Sequence, residues 1–185
     1  YPDLRNKALI AFPPPPKLDP KNLPSIPALL ARKGNVDRGK QLMAASLKND
    51  VKCLTCHTIN KVGGNVGPDL SVIGSKASRE NLLESILYPS RAIADQYVSW
   101  IVRDKNGLSI TGLLIEDVPG HIILRDATAK DHKIARKDID SQIKSRVSIM
   151  PDDLIVHLPE NDLIDVVEYL YSLKSPAFVP GDKNE

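Results

Sequence analysis

Apolar residues recur at helical spacing in three segments of the chain. The first segment starts at a candidate N-cap, Asn35 or Asp37. The second runs from Ser78, which begins a candidate capping turn, to Pro89, which cannot continue a helix. The third covers residues 159–173 and has a proline in its first turn. The pattern therefore predicts three helices, whose apolar positions are 42, 43 and 47, then 82, 83, 86 and 87, then 163, 164, 166, 167 and 170.

Between residues 96 and 139 the apolar period changes to two. The segments "YVSWIVR", "LSITGLLIE" and "HIILRD" are separated by "DKNG", "DVPG" and "DATAKD", which have turn composition. This alternation predicts a small antiparallel meander, with "HKIARKDI" as a candidate fourth strand.

Residues 13–27 are proline-rich and favour extended backbone. We assign residues 1–33 to an N-terminal arm, either a plain linker or a segment that docks on a partner. Because the chain begins at Tyr1 without a leader, we expect it to be processed or cut from a longer polypeptide.

Composition excludes some classes of partner. The chain has 185 residues, of which 42% are hydrophobic, so it can bury a core as one domain. A net charge of +2 offers no broad basic face, so we expect no binding to nucleic acid. No apolar run reaches the length of a transmembrane helix, so we expect no membrane insertion.

Both cysteines lie in the stretch "CLTCH", residues 53–57. C-x-x-C-H is the attachment motif of c-type haem. Its two thiols add across the haem vinyl groups, and this places the adjacent imidazole under the iron. The motif predicts that Cys53 and Cys56 anchor one haem c covalently and that His57 is an axial ligand.

Three other interpretations of the motif stay open at this point. A disulfide from Cys53 to Cys56 would close too short a loop to stabilise the chain much. A thioredoxin-like redox pair would need a βαβ context, which the pattern does not predict. A zinc site would lack a fourth ligand, because His121, His132 and His157 do not have ligand spacing.

Beyond this motif the chain resembles the class I c-type cytochromes. The segment "GPDL", residues 67–70, matches a family motif in which the Pro68 carbonyl accepts the Nδ1 proton of the haem histidine. The resemblance implies that Leu70 packs on the haem face. It also implies, from "SIMPDDL", that Met150 is the distal iron ligand and that Ser148 binds a haem propionate.

Two residues compete with this ligand assignment. Met43 is the other methionine, but it lies on a helix stripe and is better explained as core. His157 follows seven residues after Met150 and is the rival distal ligand.

In the family, the first and last helices cross through a glycine and an aromatic, which Gly39 and Tyr169 match, whereas Met43 stands where an aromatic is usual.

The order of motifs over residues 34–173 resembles the PVC-type haem domain of Planctomycetes and Verrucomicrobia. The resemblance implies a mainly α cytochrome c fold, with three or more helices around one haem and an inserted small antiparallel β meander. The haem domain would span residues 34–175, the insert about 96–139 and a tail 176–185. In that family the domain often ends a longer dehydrogenase-like or repeat-containing polypeptide.

The insert has two interpretations. It is either a structural lobe whose Tyr97 and Trp100 contact the core or the haem propionates, or a docking surface for an electron-transfer partner. The charged run "RKDIDSQIKSR" is expected to be a solvated face, in which Lys144 and Arg146 tune docking.

The resemblance implies an electron carrier and not an enzyme, working between a redox donor and acceptor, a dehydrogenase among the candidates. Two alternatives stay open: a small-ligand sensor or peroxidase with a labile distal methionine, and a haem-stapled interaction module of a dehydrogenase complex. The resemblance further implies that haem is joined to CxxCH outside the cytoplasmic membrane, so we expect a periplasmic or equivalent extracytoplasmic compartment. The oligomeric state is left open.

Overall fold

The computed structural model describes residues 22–49 and 51–175. Within them the helices are α1 (Ile26–Leu30), α2 (Val36–Ala45), α3 (Cys53–Cys56), α4 (Arg79–Leu87) and α5 (Glu160–Ser172). The strands are β1 (Thr58–Ile59), β2 (Val62–Gly63), β3 (Ser99–Asp104), β4 (Ser109–Val118), β5 (His121–Arg125), β6 (Asp131–Ala135) and β7 (Ile139–Lys144). Short 3-10 turns occur at Ile73–Ser75, Asp95–Tyr97, Arg136–Asp138 and Leu154–His157.

The three helices predicted from periodicity are confirmed as α2, α4 and α5. Asn35 caps α2 by accepting a hydrogen bond from the Arg38 amide at 2.9 Å. Ser78 caps α4 in a capping box with Asn81. The prediction was wrong at Leu47, which lies beyond the end of α2 and is 45% exposed.

Helices α2 and α5 cross at close range. A Cβ added to Gly39 would lie 2.0 Å from the Asp165 carbonyl oxygen, so only glycine permits this approach. The Asp165 side chain is buried and accepts from the Asn35 amide at 2.7 Å, and its carboxylate lies 3.2 Å from Arg38 Nε. The two helices therefore hold the N- and C-terminal parts of the domain together.

Helix α1 begins within the segment assigned to the proline-rich arm. Ser25 caps it, Pro27 lies in its first turn, and Leu29 is fully buried in the helical core. Helix α1 thus packs on the helical core through Ile26, Leu29 and Leu30. The prolines of residues 13–20 and the tail 176–185 lie outside the described residues.

Strands β3 to β7 form one antiparallel sheet in the order β6-β5-β4-β3-β7. The meander β3-β4-β5-β6 follows the predicted strands, the fourth included. A fifth strand, β7, was missed: it returns along the far edge of β3, where Trp100 pairs with Lys144. The charged run predicted to be a solvated face therefore contains an edge strand.

The predicted fold class is wrong. The chain is 35% helical and 25% strand, and only three helices of the described residues have seven or more residues, so the fold is mixed and not mainly α. The sheet also has its own buried cluster, Val102, Ile122 and Leu124, separate from the helical core. The strands form a second lobe with its own apolar packing.

No helix within the described ranges is long and apolar enough to cross a bilayer.

Candidate functional site

The CLTCH stretch begins with the single turn α3, which is fastened to α2. The Leu54 amide donates to Ser46 Oγ at 3.0 Å, and this hydroxyl donates to the Met43 carbonyl at 2.6 Å. Ser46 is fully buried, so both bonds are shielded from water. The position of the two cysteines is therefore set by α2.

The loop after His57 folds back onto α3. The amides of Val66 and Gly67 both donate to the Cys56 carbonyl, at 3.0 and 2.8 Å. Gly64 passes so close to α3 that an added Cβ would lie 1.9 Å from the Thr55 carbonyl oxygen. This contact explains why the loop needs a glycine there.

His57 is oriented by the same loop. Its Nδ1 lies 2.9 Å from the Pro68 carbonyl oxygen, and because a carbonyl can only accept, Nδ1 carries the proton. Burial lowers the pKa of His57, although the bond to Pro68 opposes this shift, so the neutral imidazole is favoured. Nε2 then carries a lone pair, and no described residue is hydrogen-bonded to it. This is the form of histidine that binds metals.

The histidine ring also requires Gly67. A Cβ at this position would lie 2.5 Å from His57 Cε1 and 2.7 Å from Nδ1. A side chain there would push the ring out of its orientation.

Both cysteines are free thiols. Burial raises the pKa of Cys53 to about 11 and raises that of Cys56 as well. A thioredoxin-like redox pair depends on a lowered pKa, so these two thiols do not have the electrostatics of that class.

Leu70 lies in the helical core beside the site, where it is buried in the same cluster as Leu54 and Met43. Its amide donates to the Thr58 carbonyl at 2.8 Å. Met43 is 2% exposed and packs as a core residue.

Met150 and Ser148 lie in the loop after β7, and both are half-buried. The Met150 amide donates to Ser148 Oγ at 3.1 Å, and the Ser148 amide donates to Ser90 Oγ at 3.0 Å. The first bond lies within the loop, and the second connects the loop to the segment that follows α4.

The same loop is also bound to the sheet. The Ser145 amide donates to the Ser99 carbonyl at 2.8 Å, and the buried Ser99 hydroxyl donates to the Val147 carbonyl at 3.2 Å. The Met150 loop is therefore held from two sides, by the helical lobe and by the sheet.

The other predicted residues lie in the sheet lobe or near α5. Trp100 packs against the sheet cluster, and Lys144 Nζ lies 5.5 Å from its ring centroid. Tyr97 is half-buried in the turn that precedes β3. His157 ends the 3-10 turn before α5. Trp100 thus packs within the sheet lobe.

One contact at the site was not predicted from the sequence. The turn between β5 and β6 reaches the CLTCH loop, with the Ala127 carbonyl 4.0 Å from Cys56 Sγ. Beside it, Arg125 Nη1 donates to the Asn65 carbonyl at 3.4 Å. No signal in the sequence indicates this contact, because it joins residues that are 71 and 60 positions apart in the chain.

Two other features lie away from this site. A surface cavity of about 420 Å³ lies between α5, the start of α2 and the segment that precedes α2, but its Arg38 is paired with Asp165. No cluster of three or more His, Cys, Asp or Glu side chains that could hold a metal ion occurs among the residues described.

The site fits a covalently attached haem. It offers two free thiols next to a neutral imidazole whose Nε2 is unpaired among the described residues, and Gly67 leaves room for the ring. These are the side chains that the attachment chemistry needs.

Comparison with known families agrees with this geometry. Residues 36–103, well under half of the chain, match the family described as Cytochrome c. The match implies covalently bound haem c and supports a haem-binding, electron-transfer cytochrome domain of the class I type. No curated protein sequence matches the chain.

Proposed function

We propose, on the premise of a cytochrome c domain with bound haem c, that the chain is a mono-haem cytochrome that carries one electron between two redox proteins. His57 and Met150 are its axial ligands, and its subclass is the PVC type. The observation that carries the proposal is the His57 imidazole, oriented by the Pro68 carbonyl and set directly after the two free thiols.

Haem c supplies a one-electron ferrous/ferric couple when bound. Cys53 and Cys56 hold the group in place through thioether bonds. The hydrogen bond from Nδ1 to Pro68 fixes the imidazole ring and makes Nε2 a better donor. Leu70 adds apolar surface that excludes water.

Met150 is the better distal ligand of the two methionines. Met43 is 2% exposed and belongs to α2 within the helical core, whereas Met150 is half-buried in a loop that is hydrogen-bonded to Ser90 on one side and to Ser99 on the other. A fixed loop presents a thioether at little entropic cost. A thioether opposite histidine raises the reduction potential.

The proposal extends to compartment and partners. Cytochrome c domains are typically extracytoplasmic, which supports a periplasmic location for this chain. Electron transfer needs a donor and an acceptor protein, and a dehydrogenase is one candidate. No catalytic base or nucleophile is required for this role.

Visible spectra of the purified protein test the proposal. We expect a sharp reduced α-band that carbon monoxide does not alter, because both axial positions are filled. Haem should stay with the polypeptide after acid extraction, since it is covalently bound. A protein without haem would contradict the proposal.

The Met150→Ala variant tests the distal ligand, with His157→Ala as the matched control. We expect Met150→Ala to become high-spin and to bind carbon monoxide, and His157→Ala to keep the wild-type spectrum. If His157→Ala becomes high-spin and binds carbon monoxide while Met150→Ala keeps the wild-type spectrum, the distal ligand is His157. Carbon monoxide binding by the wild-type protein would favour a small-ligand sensor or peroxidase.

A further inference from the structure

The turn between β5 and β6 lies against the sulfur to which haem is attached. The Ala127 carbonyl is 4.0 Å from Cys56 Sγ, a contact in which the thiol donates. A thioether sulfur has no proton to donate. After attachment, the hydrogen bond from Arg125 to the Asn65 carbonyl remains to hold the turn against the loop.

The contacts of the Arg125 side chain orient it for the hydrogen bond to the Asn65 carbonyl. Its Nε and Nη2 donate to the two carboxylate oxygens of Asp131 at 2.7 and 2.9 Å. This bidentate pair fixes the plane of the guanidinium and directs the remaining nitrogen, Nη1, to Asn65. The Arg125 side chain is only 18% exposed although it lies at the end of a strand.

The turn that Arg125 carries is itself rigid. The Asp126 carboxylate accepts from the Thr128 hydroxyl at 2.6 Å and the Thr128 amide at 2.8 Å, and its other oxygen lies 2.6 Å from His132 Nε2. The Asp126 amide donates to the Lys130 carbonyl at 3.0 Å. The turn therefore moves as one unit.

The loop that receives the bond also orients the proximal histidine. Asn65 is followed by Val66 and Gly67, whose amides bind the Cys56 carbonyl, and then by Pro68, which binds His57. Arg125 thus connects the sheet lobe to both the attachment cysteine and the ligand histidine.

We propose that Arg125 is a positioning residue for electron transfer, which fastens the β5–β6 turn over the Cys56 side of the haem site. This inference rests on the proposed function. In this position the β5–β6 turn would exclude water on the Cys56 side of a haem attached there. Exclusion of water disfavours the more highly charged ferric form and so raises the reduction potential.

Spectroelectrochemical titration of the haem-loaded full chain tests the proposal. Arg125→Gln removes the positive charge and the hydrogen bond to Asn65. Arg125→Lys keeps the positive charge but lacks the planar guanidinium that binds Asp131 and Asn65 together. Arg136→Gln is the matched control, because Arg136 binds the Val118 carbonyl and Asp117 elsewhere in the same sheet. We expect both Arg125 variants to have a lower midpoint potential than wild type, and the control to have the wild-type value.

Hydrogen exchange supplies a second readout that does not depend on the potential. The Gly67 amide should exchange several-fold to about tenfold faster in Arg125→Lys, as expected for the loss of one hydrogen bond that holds its loop. If the Arg125 variants do not fold, Asp131→Asn loosens the guanidinium more mildly, and the Gly67 amide should again exchange faster than in wild type.

Three results would overturn the proposal. Unchanged potentials in all variants would show that the turn does not shield the haem. A fall in Arg125→Gln without one in Arg125→Lys would show that only the charge matters. Gly67 exchange at the wild-type rate in every Arg125 variant would show that the loop is not fastened there. Wild-type protein without haem would instead overturn the proposed function.

Discussion

The crossing of α2 and α5 gives a quantitative prediction. In Gly39→Ala, the new Cβ would lie 2.0 Å from the Asp165 carbonyl oxygen, whereas ordinary contact begins at 3.4 Å. The helices must separate by roughly 1 Å, and over-packing of this kind costs about 3 kcal/mol at the upper end of its usual range. Alanine recovers about 1 kcal/mol of helix propensity. We therefore expect a loss of about 2 kcal/mol in the free energy of unfolding.

Thermal unfolding followed by circular dichroism measures this loss. For a chain of this size, about 2 kcal/mol lowers Tm by roughly 4–8 °C. Gly120→Ala is the matched control, because its added Cβ meets nothing within 4 Å. The reasoning is refuted if Gly39→Ala stays within about 0.5 kcal/mol of wild type, or if Gly120→Ala loses as much stability.

Two further predictions concern the site and its neighbouring turn. In Gly67→Ala, the new Cβ would lie 2.5 Å from the His57 ring, so we expect a perturbed low-spin spectrum and carbon monoxide binding, and a wild-type spectrum would contradict this. The Thr128 hydroxyl, and then His132, hold the pKa of Asp126 well below its ordinary 3.8. This stabilisation is present at neutral pH and is lost as the pH falls below about 4 towards the folded pKa, so wild-type Tm should fall more between pH 6 and 3 than that of Asp126→Asn. If Tm falls equally with pH in wild type and in Asp126→Asn, the Asp126 carboxylate does not supply this stabilisation.

The predictions that rested on residues close together in the sequence were the reliable ones. Asn35 and Ser78 cap their helices through bonds to residues three positions away, so the information lies within one turn of chain. The CLTCH motif is equally local, and its five residues indicate the chemistry without any knowledge of the fold.

Elements that depend on distant partners were missed. β7 has few apolar residues and lies at a sheet edge, where Ile143 is 59% exposed, so no alternating run indicates a strand. Helix α1 was missed because of Pro24 and Pro27. Proline favours extended backbone, but it is also accepted in the first turn of a helix. The bond from Arg125 to Asn65 joins two loops and depends on the fold alone.

The pairing of β7 with β3 also changes how the chain closes on itself. Strand β3 starts at Ser99 and the chain leaves the sheet at Ser145, where the two residues are joined by a hydrogen bond of 2.8 Å. The chain thus exits the sheet beside the point where it entered. The entropy of joining α4 to α5 is then that of residues 88–98 and 146–159 alone, because the sheet between them closes through its own strand pairing. The sheet lobe therefore adds little to the loop-closure entropy of the helical part of the chain.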